Sequence, residues 1–150
     1  VAPGALLKIS QAASLAVHTM ALLARDPRRS LSAKQIASTL NVSEAHLAKV
    51  LGRLAREGLV QSTRGPGGGF VLADGAHRAS LMSVYEAVEG TFSPHDCLFE
   101  TPLCKGGNCI FGDLVRKIND EMRQYLNDTR ISDTLSIFGD GHDNTKDDRE

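Results

Sequence analysis

Apolar residues recur at helical spacing through most of this chain, and the polar residues between them fall where helix ends belong. The first stripe, Ala13, Ala16, Val17, Met20 and Leu23, predicts a helix from an N-cap at Ser10 to about Arg25, with Gln11, Ser14, His18 and Arg25 on its other face. Asp26-Pro27 ends it, because a residue before proline is pushed out of the helical region. Ser32 and Gln35 have the spacing of a capping box and open a second helix to Leu40, with Ile36, Ala37 and Leu40 facing inward. Asn41-Val42 makes the turn. Ser43 then caps a third helix to Glu57, whose inward stripe is Leu47, Val50, Leu51 and Leu54 and whose stop is Gly58.

Two short runs rich in strand formers follow, residues 59–62 and 70–72, separated by Thr63-Arg64-Gly65-Pro66-Gly67-Gly68-Gly69. They predict a β-hairpin with a glycine-rich tip. Ser80 caps a further helix through Val84, Ala87 and Val88 to Gly90, after which the periodicity dissolves into a loop bearing all the cysteines. Phe111, Leu114, Val115, Ile118, Met122 and Leu126 mark a long amphipathic helix. The expected fold is mainly α with a small β-hairpin wing. It divides into a winged helix-turn-helix over residues 6–90, a cysteine loop and long helix over 91–138, and a disordered polar tail over 139–150. The opening residues 1–5, with Pro3 and Gly4, are expected to lie outside the fold.

A chain of 150 residues with 41% apolar and 5% aromatic content and no tryptophan suits one compact domain. Its core is mostly Leu, Val, Ile and Ala, which disfavours a large β-sandwich. No segment approaches about 18 uninterrupted apolar residues and no basic-then-apolar leader is present, so a soluble cytoplasmic protein without a membrane partner is expected. The net charge of -1 hides an asymmetry. Residues 1–80 carry 10 Lys and Arg against 4 Asp and Glu, whereas residues 81–150 carry 7 against 14. The front half is suited to meeting a polyanion.

Two short capped helices joined by a tight turn and followed by a hairpin are the parts of a winged helix-turn-helix, whose second helix enters the DNA major groove. On that helix Glu44, Ala45, His46, Lys49 and Arg53 are expected to face outward. Ser43, Ala45 and His46 would lie nearest base edges, and Lys49 and Arg53 would reach bases or phosphates. Any helix packed by one face would show a polar side here, and the hairpin is what favours DNA. Glycines such as Gly67 and Gly68 let a backbone approach a groove, and Arg64 supplies the charge that a narrow minor groove attracts. A nucleotide cradle is disfavoured, since the loop has neither the Lys-Ser/Thr of a P-loop nor a helix after it.

Six residues separate Cys97 from Cys104 and four separate Cys104 from Cys109, with Pro102, Gly106 and Gly107 between them to let the loop fold around something. An odd, local cluster is no disulfide framework; it favours metal or redox chemistry. Three thiolates on a short loop suit an iron-sulfur cluster, whereas a closed zinc site wants four ligands at tighter spacing. Plain oxidisable thiols are a third reading. The residues alone leave the three level.

The run Gly58-Leu59-Val60-Gln61-Ser62-Thr63-Arg64-Gly65-Pro66-Gly67-Gly68-Gly69-Phe70, then Ser80-Leu81 and Glu86-Ala87-Val88-Glu89-Gly90, resembles the bacterial iron-sulfur cluster regulators and nitric-oxide-sensing repressors of the IscR/NsrR type. The likeness extends more loosely over residues 7–138. It implies a DNA-binding transcriptional repressor and not an enzyme, consistent with the lack of an evident nucleophile, acid–base pair or cofactor loop. It also implies a homodimer in which the long helix crosses its twin, with two reading heads on a roughly palindromic double-stranded operator. The family places three cysteines in the same loop, so the resemblance raises a [2Fe–2S] or [4Fe–4S] cluster above zinc or bare thiols. Operator affinity would follow redox state, nitric oxide or iron-sulfur supply. A metal-free regulator using redox thiols or a docked partner protein is the alternative.

IscR-type proteins use a His shortly after the third cysteine, where this chain has Ile110, Phe111 and Gly112. Other relatives take a ligand from the first helix of the partner subunit, at positions that align with Ser14 and His18. Imidazole is the better iron donor of the two, which points to His18. The plainer reading is a solvated or DNA-facing His18, and His95, Asp96 and Glu100 are rivals nearer in sequence. IscR-type proteins also carry an acidic residue and an amide where this chain has Ala48 and Lys49, so their operator preference does not carry over.

Overall fold

The computed structural model describes residues 9–99, 101–104 and 109–139; the opening residues 1–5 and residues 140–150 of the expected tail lie outside them. Among the described residues the chain forms α1 (Gln11–Ala24), α2 (Ala33–Leu40), α3 (Glu44–Arg56), β1 (Val60–Thr63), β2 (Gly69–Leu72), α4 (Leu81–Glu89) and α5 (Leu114–Asp128). Short 3-10 segments lie at Ala76–Arg78 and Ile131–Phe138. The architecture is thus mainly α with a two-stranded antiparallel hairpin, as the sequence pattern predicts. None of the described helices is long and apolar enough to cross a membrane.

Serine caps start the first four helices. Ser10, Ser32, Ser43 and Ser80 each accept from a backbone N–H three residues on, at 3.0, 3.1, 3.2 and 3.1 Å. Each cap satisfies a donor that has no partner within its helix and stabilises by about 1 kcal/mol. At α2 the box closes in both directions, since the Ser32 N–H donates to Gln35 Oε1 at 2.8 Å.

The helix α1 occupies the centre, against α2, α3, α4, β2 and the Ile131–Phe138 segment. Its burial therefore runs almost all round: Leu15, Thr19, Ala21, Leu22 and Ala24 join the predicted stripe inside. A one-faced stripe understated it because neighbours pack on several sides. Met20, Leu23, Ile36, Leu47, Leu51, Leu54 and Val84 form the dry centre, each apolar side chain contributing roughly 1.5–3 kcal/mol by leaving water.

Two further departures have identifiable backbone causes. The helix α5 starts at Leu114 and not at Phe111, because Gly112 takes φ 57 and its N–H donates to Cys109 O at 2.9 Å, closing a turn first. After α5 the backbone pairs with the start of α4 and the residues just before it, Leu81 N donating to Thr129 O (2.9 Å) and Ile131 N to Ala79 O (3.0 Å). This carries Ile131 fully into the core, although no periodicity announced an element there.

Candidate DNA-reading head and thiol loop

The turn between α2 and α3 depends on Asn41, which adopts φ 53, a left-handed conformation that asparagine tolerates better than most residues. Its N–H donates to the Ala37 and Ser38 carbonyls and ends α2. Ser43 restarts the chain as α3, with Leu47, Val50, Leu51 and Leu54 buried. The outer side then presents Ser43, Ala45, Ala48 and Lys49 exposed and His46 half-buried. The sole salt bridge among the described residues joins Arg116 to Asp113, so no described carboxylate neutralises Lys49, Arg56 or Arg64 at contact distance. Glu44 is exposed on the same side, so the face mixes one carboxylate with open cations.

The hairpin pairs Val60 with Leu72 through Thr63 with Gly69. Pro66 followed by Gly67 at φ 76, with Gly68 N donating to Gly65 O at 2.8 Å, has the features of a type II turn. A Cβ on Gly68 would sit 2.5 Å from Thr63 O, and one on Gly69 would sit 2.3 Å from Leu31 O. The hairpin's own backbone thus requires glycine here, whatever the tip touches. Leu31 bridges to Phe70 through two backbone bonds of 3.0 and 2.8 Å. Ser30 Oγ lies 2.9 Å from Thr63 Oγ1, which also accepts from Gly69 N at 3.0 Å. The sequence reading missed this clamp between the start of α2 and the wing, because it joins residues far apart in sequence. Arg64 stands exposed where the tip begins.

Arg53 is placed differently from the other predicted reading residues. Its guanidinium donates to the carbonyl of Val88 in the last turn of α4, a bond within the protein that helical spacing does not reveal.

Beyond α4, Phe92 is buried against Tyr85 in an edge-on contact of 5.5 Å, and Arg123 of α5 lies over its ring at 5.1 Å. Burial first, then the charges of Glu89 and Glu86, raise the Tyr85 phenol above its ordinary range. Asn119 of α5, itself buried, donates to His95 O at 2.9 Å. The loop then reaches its thiols: Cys97 and Cys109 are half-buried, Cys104 is exposed, and all are free. Phe111 N lies 3.4 Å from Cys109 Sγ. Among the described residues no three His, Cys, Asp or Glu gather as a metal site, so His18 does not complete a donor set with the cysteines of its own chain. Gly106, Gly107 and the rival ligand Glu100 fall outside the described residues.

His18 is exposed on α1 with Nδ1 2.7 Å from the Ser14 carbonyl. A carbonyl only accepts, so in this contact Nδ1 is the donor. The side chain lies at a mostly apolar groove of about 530 Å³ between α1, α4 and α5, with Ile9, Val17, Leu81, Met122 and Tyr125 in its walls.

A capped helical pair joined by a tight turn and a hairpin braced against it define a winged-helix DNA-binding regulator. The chain belongs to the Rrf2 family, whose profile, described as an iron-dependent transcriptional regulator, matches residues 9–136. A Neisseria meningitidis serogroup A protein named as an HTH-type transcriptional regulator is 30% identical over 106 residues, 71% of this chain and 72% of that one. The HTH-type transcriptional repressor NsrR of Streptomyces coelicolor is 26% identical over 132 residues, 87% of this chain and 89% of that one. Among solved structures, CymR of Bacillus subtilis, described as the global cysteine regulator, aligns with a TM-score of 0.72 at 29% identity, covering 87% of this chain and 98% of that one. The role is regulation of transcription through DNA, not catalysis.

Proposed function

We propose that this chain is a repressor whose operator affinity is set by an iron-sulfur cluster on Cys97, Cys104 and Cys109. The observation that carries this reading is three free thiols on one loop beside a winged-helix head. The donor chemistry fits such a group: three soft sulfur ligands, none spent in a disulfide. When bound, the cluster would supply sensitivity to oxidation, nitric oxide or iron-sulfur supply. His18 of the partner subunit is the proposed fourth donor, because the Ser14 carbonyl orients its ring through Nδ1 and the side chain is exposed on α1. A homodimer is supported by the apolar groove beside α5 and by the exposure of Leu114 and Tyr125, which a second copy would cover. Ser43, Ala45, His46, Lys49, Arg64, Gly67 and Gly68 form the proposed contact set on a roughly palindromic duplex, with Ala48 and Lys49 giving an operator preference of its own.

A metal-free thiol switch is the second reading, supported by the free, partly exposed thiols and by the likeness to CymR. Anaerobic purification separates the two. Iron, sulfide and visible absorbance should appear together, and should be lost together in Cys97→Ala, Cys104→Ala and Cys109→Ala while the fold is kept. Zinc at about one per subunit without sulfide would replace the cluster with a structural metal. His18→Ala should make the cluster labile; wild-type iron content and spectrum in that variant would remove His18 as the ligand.

A further inference from the structure

The last turn of α4 is a junction between the reading helix and the thiol loop. In a continuing helix, Phe92 N would donate to the Val88 carbonyl. Here both groups are diverted: Phe92 N donates to Glu86 Oε1 at 2.8 Å, and the Val88 carbonyl takes the Arg53 guanidinium from α3. Gly90, at φ 84, makes the break between them. A cation on a C-terminal carbonyl is a favourable cap, since that end of the helix carries partial negative charge. Glu89, one residue on, accepts from the Ser10 hydroxyl that caps α1. On the far side, Phe92 sits under Arg123, and Asn119 holds His95 two residues before Cys97. A displacement of the loop start therefore acts on the turn to which Arg53 is tied.

We infer that Arg53 is a positioning residue that couples the state of the cysteine loop to the reading helix, and not a reader of DNA. The inference rests on the reading above that loop chemistry sets operator affinity. Arg53 fixes the tilt of α3 by its bond to Val88 O, and Asn119 passes loop movement to the same junction from α5.

The test uses the full chain with a duplex selected from a random pool, titrated in the cluster-loaded, reduced cluster-free and oxidised cluster-free states. In the unsubstituted protein the strongest and weakest states should differ by roughly 5- to 150-fold, the usual range of coupling between sites. In Arg53→Met that ratio should fall to within about twofold of unity, whereas Arg53→Lys, which keeps charge and donor, should retain part of it. Asn119→Ala should lower the ratio from the other end. Amide exchange across residues 89–97 of the reduced, cluster-free Arg53→Met protein should rise by about tenfold or more. If Arg53→Met weakens all states by one common factor and keeps the ratio, Arg53 contacts DNA and the inference is overturned. Unchanged exchange at residues 89–97 overturns it as well, and needs no cluster to be read. Equal affinity in every state of the unsubstituted protein would instead remove the sensing function, leaving the exchange result to decide whether Arg53 holds the junction.

Discussion

Between α1 and β2 each helix begins on a serine cap and large apolar side chains such as Leu47, Leu51 and Leu54 are sealed in the core, whereas in the loop before α5 Phe99, Leu103 and Ile110 stand 61%, 66% and 85% exposed. The head satisfies its backbone and its apolar surface within one chain. The loop leaves the Cys104 thiol and hydrophobic side chains facing solvent, anchored mainly at its start through Phe92 and His95. Such a contrast is what a sensor needs: a rigid reader, and a segment whose final packing depends on something it binds or contacts.

The contrast breaks first on stability. Leu54→Ala should cost roughly 2–5 kcal/mol, because the site is dry and closely packed, while Ile110→Ala should stay within about 0.5 kcal/mol. Urea unfolding of both variants checks this; a large loss at Ile110 would mean that the loop is part of the core. Gly69→Ala should come next, at about 1–3 kcal/mol, since the added methyl collides with the Leu31 backbone. DNA affinity should fall with it as the wing separates from the start of α2. Wild-type stability and affinity in that variant would show the clamp to be unimportant.

Smaller effects sharpen the picture of the head. Arg64→Ala should weaken operator binding by about 1–3 kcal/mol with the fold intact, and titration of labelled duplex at fixed salt reads it. Unchanged affinity would take the wing out of the groove. Lys49→Ala should lower the salt dependence of binding by about one unit of slope if it meets a phosphate, or alter sequence preference if it meets a base.

Much of the head could be read from the residues because its information is local. A serine three positions before the N–H it caps, Asn41 in a left-handed turn and Gly58 at φ 71 after α3 are short-range signals. The missed features are tertiary. Nothing in the spacing around Arg53 shows that its partner is Val88, and Leu31 reaches Phe70 through backbone groups that all sequences share. The Ile131–Phe138 segment escaped notice because a 3-10 helix lacks the 3.6-residue stripe, with Ile131 alone deeply buried. The late start of α5 had a signal in Gly112, which apolar periodicity overrode. The cysteine positions were plain in the sequence; how they act was not, because the described part of one chain does not gather them.

The central claim is that chemistry at the cysteine loop sets the affinity of the reading head for DNA. Its most direct test is titration of one selected duplex with a single anaerobic preparation, before and after cluster reconstitution, with Cys104→Ala carried through the same treatment. The account predicts a shift of roughly 5- to 150-fold in Kd for the unsubstituted protein and none for Cys104→Ala. The same Kd before and after reconstitution in a protein shown to have taken up iron and sulfide would contradict it.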